Sequence, residues 1–437
     1  MLSADTPQSQ NSTGTDRITP AGWRIVLLAS LGGTLEFYDF VIFGVFARDI
    51  AAAVFPSESP IVSLMLAFAT FAAGYLARPL GGIILSHYGD RYGRRKVFLW
   101  SVFVMSAATL GMGLVPSYAS WGVWASALMV MLRLLQGFCL GGELPGALTY
   151  VVETAPRIAP LVCGVVFSCV TMGVAAATAV SLSVRTWLDP ALVPVYGWRI
   201  AFVIGGLGGV LSFVLRRSLE ESPEFERMRS LASRQPFREL LRTHRPHVLV
   251  GCAVLAGTAC FNGLFFSHMP AYLAGVLQYD PRQAVFSQTV GVLASAAGIL
   301  LTGWLGDRIA PRHLLRIGVA LLLVFAYPFY LALESRAINL TLLLVLAGLA
   351  AGFTNGSFAV LLTDLFPTRI RFTGVALVFN VSFTVFSGTA PLVGTWLIRE
   401  TTQLASPAFL MIGSAVLALL GSMWVDRYGG NVLKAQS

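Results

Sequence analysis

The sequence predicts an all-α membrane protein, with twelve transmembrane helices arranged as two six-helix halves. Three observations carry that expectation. Hydrophobic residues make up 56% of the 437 and charged residues 12%, with a mean hydropathy of +0.74; a soluble domain needs about a quarter of its residues charged to cover its surface. Apolar runs of membrane-spanning length, about twenty residues, recur along most of the chain. The two halves of the chain also echo each other.

Residues 1–22 come first. Their polar run, MLSADTPQSQNSTGTDRITP, holds no apolar core ahead of a cleavage site, so it reads as a disordered cytoplasmic tail and not as a signal peptide. Polar breaks then mark spans at 23–50, 61–87, 97–115, 121–153, 160–184 and 197–217, which make an N-terminal half over 23–218. A cytoplasmic linker, 219–246, lies within the longest polar stretch, RRSLEESPEFERMRSLASRQPFRELLRTHRPH. Spans at 247–276, 284–306, 314–333, 338–364, 372–397 and 404–425 make a C-terminal half over 247–426, and 427–437 is a second cytoplasmic tail. Spans longer than the bilayer is thick are expected to tilt or kink.

A net charge of +9 suits a nucleic-acid binder, but in a membrane chain the side on which the charges fall decides. With the N-terminus inside, the tails and inward loops hold 22 Lys and Arg, against 6 in the outward loops (Arg48, Arg185, Arg199, Arg282, Arg336 and Arg399). The asymmetry places both termini in the cytoplasm. It assigns the basic surplus to topology and to membrane lipid, with no nucleic-acid partner. Cysteines 139, 163, 169, 252 and 260 fall in apolar stretches and read as packing residues. Phosphate loops, paired-cysteine metal spacings and nucleophile motifs are absent from the sequence. The chain therefore reads as neither an enzyme nor an ATP-driven pump, with no cofactor and no metal, and as a monomer.

GDRYGRR (89–95), after span two, is echoed by GDRIAPR (306–312) after span eight. ETAPRIAPLVCG (153–164), after span four, is echoed by DLFPTRIRFTG (364–374) after span ten. The short loop bearing Asp90, Arg91, Arg94 and Arg95 must sit in water or headgroups. Asp90 suits the amide donors of a helix N-terminus, and the arginines suit acids at neighbouring inner helix ends such as Glu153. Together with Asp307 and Asp364 at the matching inner ends, such a cluster is expected to latch those ends in one state and release them in another. The plain alternative is a topology marker.

These motifs resemble a known family. GDRYGRRK resembles the loop signature of the major facilitator superfamily, and RLLQG (133–137) resembles its span-four motif. GGTLEFYDFVIFG (32–44), YLARPLGG (75–82), RLLQGFCLGGELPGALTYVVETAP (133–156), RRSLEESPEF (216–225) and FPTRIRFTG (366–374) resemble its metabolite:H+ symporter branch. The resemblance implies the major facilitator fold, a bacterial inner-membrane location, and symport of a small-molecule substrate with protons by alternating access. An organic acid is the first candidate. Ser86 stands where the loop signature has glycine, and Leu144-Pro145 follow a glutamate where many members have tyrosine and glycine, so no member's substrate is carried over. A proton-driven exporter of a larger compound, uptake of a proline- or betaine-like zwitterion, and a non-transporting sensor stay open.

A charge facing lipid costs at least about 2.5 kcal/mol, so charges within spans mark the bundle interior. At about 100° per residue, Arg133, Gln136, Glu143 and, if the helix stays regular past the kink expected at Pro145, Tyr150 share about a third of span four's circumference. Arg133 and Glu143 stand about 15 Å apart along a helix, too far to pair. The expected partners are Glu36 and Asp39 on span one, Arg78 on span two, or a ligand. A guanidinium fork suits a carboxylate, which makes Arg133, Gln136, Glu143 and Arg78 substrate candidates. Glu36 and Asp39, three apart, share a face where burial and mutual repulsion favour the neutral form of at least one, as a proton carrier requires. Neutralising the arginines is the alternative role. Asn262, Asn355 and Asn380 are candidates for orienting a ligand or for interhelical glue, and His268 is expected at the outer interface.

Overall fold

The structure, a computed structural model, describes residues 20–92, 94–141, 144–145, 148–149, 152, 156–216 and 236–429, and among them it holds helices and turns and no strand. Among the described residues twelve long apolar helices follow one another, with shorter helical pieces between them. They are α1 (Pro20–Val45), α2 (Pro60–Tyr92), α3 (Arg94–Gly113), α4 (Val123–Cys139), α5 (Ala159–Trp187) and α6 (Trp198–Arg216), then α7 (Arg245–Val276), α8 (Pro281–Gly306), α9 (Pro311–Ser335), α10 (Leu340–Asp364), α11 (Ile370–Thr401) and α12 (Pro407–Tyr428). Prolines in the first turn start α5, α7, α8, α9 and α12, where a missing N–H costs nothing. Asp280 and Asn339 cap α8 and α10 by accepting from the amides of Gln283 (2.9 Å) and Leu342 (3.2 Å).

In the first six helices, α1 packs on α5, α2 on α4 and α3 on α6; in the last six, α7 packs on α12 and α10 on both α8 and α9. The two sets meet along α5–α8 and α2–α11. Glycine makes the closest crossings possible. A Cβ on Gly81 would lie 1.7 Å from the Phe138 carbonyl oxygen, and one on Gly137 would lie 1.9 Å from that of Gly74, so α2 and α4 touch backbone to backbone. At the expected inner end, a Cβ on Gly164 would stand 3.0 Å from the Cα of Gly303, joining α5 to α8. At the other end, one on Gly44 would stand 2.7 Å from the Cβ of Ser267, joining α1 to α7. The two sets are thus in contact at both ends.

Two expectations need correction. Span four does not run as one helix from 121 to 153, because α4 ends at Cys139 with Leu140 as its cap. Gly141 beyond it is pressed against α2, where a Cβ would lie 2.3 Å from the Gly82 nitrogen and 2.4 Å from the Arg78 carbonyl oxygen, so a chain turning there has to be glycine. The segment 89–95 is not an open loop: helix runs to Tyr92 and resumes at Arg94. Its arginines are good helix formers that leave the helical course unbroken on either side of Gly93. Elsewhere the helices loosen into π-helical turns, at Gly263–His268 and Tyr272–Val276 in α7 and at Phe383–Gly388 in α11. Such turns often mark functional segments.

Because the α2–α4 crossing leaves no room for a methyl group, Gly137→Ala is expected to destabilise the purified protein by about 1–3 kcal/mol. Gly413→Ala, where a Cβ meets nothing within 4 Å, should be neutral or stabilising by up to about 1 kcal/mol. Thermal unfolding in detergent compares the two; equal midpoints would remove the glycine contact as a determinant.

Candidate transport site

Polar side chains from α4 are tied to the backbone of α1. Arg133 is fully buried and donates Nη2 to the Phe40 carbonyl at 3.0 Å and Nη1 to Gln136 Oε1 at 2.5 Å. Gln136, also fully buried, donates Nε2 to the Asp39 carbonyl at 3.1 Å and to Thr109 Oγ1 at 2.8 Å. Positions 133 and 136 are three apart on one helix, so both reach the same neighbour. The guanidinium lies 3.8 Å from the Phe40 ring centre and 4.9 Å from those of Phe43 and Phe71, within the range of cation–π attraction. Arg133 therefore finds a main-chain carbonyl, its own neighbour and three rings, and among the described residues it forms no ion pair with Glu36 or Asp39.

Asp39 is 1% exposed, and neither carboxyl oxygen has a hydrogen-bond partner. The side chain points to α6, where a Cβ on Gly205 would fall 2.3 Å from Oδ1 and one on Gly209 would fall 3.5 Å from Oδ2. Glycines four apart on one face clear the space for this carboxyl. The GGLGG run at 205–209 was the available sequence signal, and sequence reasoning missed it together with Thr109. Glu36, one turn away, is also buried, at 6% exposure. A bare carboxylate held this way is costly to keep charged, and the pocket suits a neutral acid far better.

A second group lies where the two sets of helices meet. Arg78 is 2% exposed, and its Cζ stands 5.6 Å from the Phe40 ring, 5.4 Å from Tyr75 and 5.8 Å from Phe379, the last on α11. Tyr75 Oη lies 3.3 Å from Ser387 Oγ, and the Tyr75 carbonyl accepts from Thr384 at 2.8 Å. Asn380 donates across the seam to the Gly141 carbonyl at 2.7 Å, whereas Asn262 and Asn355 bond each other at 2.9 Å between α7 and α10. The Oδ1 atoms of Asn262 and Asn380 have no partner. Gln288, fully buried on α8 and bonded to the Phe265 carbonyl, was missed; a single Gln in an apolar run carries no periodic signal. His268, expected at the outer interface, is instead wholly buried. It bonds Thr395 Oγ1 at 3.0 Å and is covered by the rings of Tyr272 (5.5 Å) and Phe68 (5.4 Å).

At the expected inner end, Asp307 accepts from the Leu161 amide, in the first turn of α5, at 3.4 Å. Partial burial pushes the Asp307 carboxyl above its ordinary range, and the Leu161 bond pulls it part of the way back. Arg312 and Arg316 bind Asp426 on α12, at 2.9 and 3.0 Å. Asp364 is buried at the end of α10. Glu143, Tyr150 and Glu153, and the side chains of Asp90, Arg91, Arg94 and Arg95, lie outside the described residues. Among the described residues no three His, Cys, Asp or Glu side chains gather as a metal site would require.

The sequence profile of the Major Facilitator Superfamily matches residues 29–391. The chain belongs to the major facilitator superfamily. It is 34% identical over 415 residues to the citrate-proton symporter of Klebsiella pneumoniae, covering 94% of this chain and 93% of that one. It is 31% identical over 430 residues to the proline/betaine transporter of Escherichia coli strain K12, covering 94% and 85%. In fold it matches a proton:xylose symporter bound to 6-bromo-6-deoxy-D-glucose, with a TM-score of 0.74 at 16% identity over 95% of this chain and 98% of that one. It also matches the E. coli xylose transporter in a partially occluded inward-open conformation, with a TM-score of 0.72 at 16% identity over 93% and 97%. The protein is thus a multi-pass membrane transporter with the twelve-helix superfamily fold, and not an enzyme.

Gln136 holds three neighbours at once. Gln136→Ala is expected to strand the Arg133 Nη1, while the Thr109 hydroxyl keeps its bond to the Met105 carbonyl, and to cost about 1–3 kcal/mol for the buried donor left unsatisfied. A clear fall in the thermal midpoint of the purified protein should report it; an unchanged midpoint would show the network to be dispensable for folding.

Proposed function

We propose that this transporter is a proton symporter for a small carboxylate, working by alternating access in the bacterial inner membrane with both termini in the cytoplasm. The observation that carries the reading is the Asp39 carboxyl, buried without a partner and one residue from the carbonyl that holds Arg133. A proton loaded on Asp39 removes the cost of its burial. Its release restores a charge on α1, whose carbonyls at 39 and 40 are gripped by Gln136 and Arg133. Proton and anion are thereby coupled through one helix. Arg133 turns its fork from the Phe40 carbonyl to a substrate carboxylate, where two parallel bonds are available. Arg78, held between rings of both helix sets, is the second cation. Glu36 and Glu143 balance the charge, and the bare Oδ1 atoms of Asn262 and Asn380, with Asn355 behind Asn262, accept from substrate hydroxyls.

The moving bodies on this reading are 23–218 and 247–426, joined by 219–246. Asp307 on the Leu161 amide, Asp364, and the segment of Asp90, Arg91, Arg94, Arg95 and Glu153 act as the inner latch. The relative named for citrate and protons supports the carboxylate. Zwitterion uptake is the second reading, favoured by the relative named for proline and betaine.

Proteoliposomes offered citrate, a dicarboxylate, proline and glycine betaine separate these readings. Saturable carboxylate uptake, faster under an inward proton gradient and accompanied by proton entry, is expected. Glycine betaine uptake without carboxylate uptake moves the assignment to the second reading, and proton-driven efflux of a bulky neutral compound overturns both. Asp39→Asn should keep substrate exchange and lose accumulation against a gradient. Arg133→Lys, which keeps the charge but not the fork, should lower kcat/KM by about tenfold or more; normal uptake by either variant would sink that residue's role.

A further inference from the structure

At the expected outer end, the two helix sets are joined by arginines that bond backbone carbonyls across the seam. Arg48, just past α1, donates Nη1 to the Ala274 carbonyl of α7 at 3.2 Å. Arg282, in the first turn of α8, donates Nε to the Arg185 carbonyl at the end of α5 at 2.7 Å. Between them Arg185 Nη2 binds Asp49 Oδ2 at 2.5 Å. The four helices border a small cavity lined by Val45, Arg48, Arg185, Pro270, Ala274 and Val285, with room for about one water molecule. Arg48 and Arg185 line it, and Arg282 stands next to it on the Arg185 carbonyl. Asp49 is engaged by Arg185, and the nearby Asp280 carboxylate is occupied as the α8 cap. Among the described residues no ion pair joins Arg48 or Arg282 to an acid, and both are exposed.

We infer that Arg48 and Arg282 form an anion-operated outer latch, each exchanging the carbonyl that holds the closed end for a carboxylate of an incoming anion. A guanidinium bond to an ionised acceptor is shorter and about twice as strong as one to a neutral carbonyl. The carbonyls are within reach only when the end is closed, and an anion fits only when it is open. An arriving carboxylate therefore binds the open form preferentially and shifts the population towards it. Arg48, Arg185 and Arg282 together outnumber the carboxylates of Asp49 and Asp280 by one, and this local surplus favours an anion at the mouth over the quaternary ammonium of a betaine. This site is separate from Arg133 and Arg78, which are buried. The inference rests on the carboxylate reading of the substrate and extends it to how that substrate is admitted.

Ala274→Cys in right-side-out vesicles places a reporter beside the latch, read by a membrane-impermeant maleimide with the parent protein as control. Citrate, at fixed ionic strength, is expected to speed labelling about fivefold or more, while glycine betaine does not. Adding Arg48→Gln and Arg282→Gln should make labelling fast from the outset and indifferent to citrate, and Arg48→Lys alone should keep part of the response. In transport, the double glutamine variant should raise the citrate KM about tenfold at low salt, less at high salt, with kcat within about twofold. Labelling of the double variant as slow as its parent, or a citrate response that survives in it, overturns the latch, as does no response to citrate in the parent. Citrate-accelerated labelling without citrate uptake leaves the latch standing and sinks the transport reading instead.

Discussion

Inside a bilayer a polar group has no water to fall back on, so a buried donor is costly unless it finds an acceptor within the bundle. Arg133 shows what that demands. Both terminal nitrogens of its fork are met, by a carbonyl of α1 and an amide of α4, rings cover its face, and Nε alone is left without a partner. The geometry holds only if α4 is brought tightly against its neighbours, which the bare glycines of the α2–α4 crossing provide. Helix approach and polar satisfaction are one arrangement seen from two sides.

Asp39 departs from that rule. Its oxygens sit in a space cleared by Gly205 and Gly209 and find no donor, while its own backbone carbonyl is held firmly. Natural chains break local rules where function needs it. An acid whose charge is unwelcome, on a helix whose backbone carries an arginine's anchor, converts the arrival or loss of a proton into a change of fit between α1 and α4.

The spans were legible from composition, because hydrocarbon admits only apolar helices of a certain length, and the cost of charge in lipid pointed Arg78, Arg133, Glu36 and Asp39 inward. Their partners were not legible. A carbonyl such as that of Phe40 belongs to every residue and leaves no trace in sequence, and the pocket of Asp39 is made by glycines of a distant helix. The end of α4 at Cys139 was misread for the same reason: the close approach of α2 to Gly141, just past that end, belongs to a distant helix and leaves no trace in the sequence. His268 looked interfacial from its position along span seven, yet Phe68 from α2 and Tyr272 from its own helix close over it.

The π-helical turns of α7 and α11 store slack. Each takes in more residues per turn than the α-helix around it, and the two lie together, with Gly263 of α7 set against the Ser387 carbonyl of α11. If one such turn tightened to the α pattern, the surplus residue would pass along the helix. The tip beyond it would turn by about 100° and move by about 1.5 Å, with its backbone bonds exchanged and not lost. In α7 that tip carries Tyr272 and Ala274. The outer end of the bundle can in this way swivel like a ratcheted key, without a hinge loop and without exposing a broken helix to lipid.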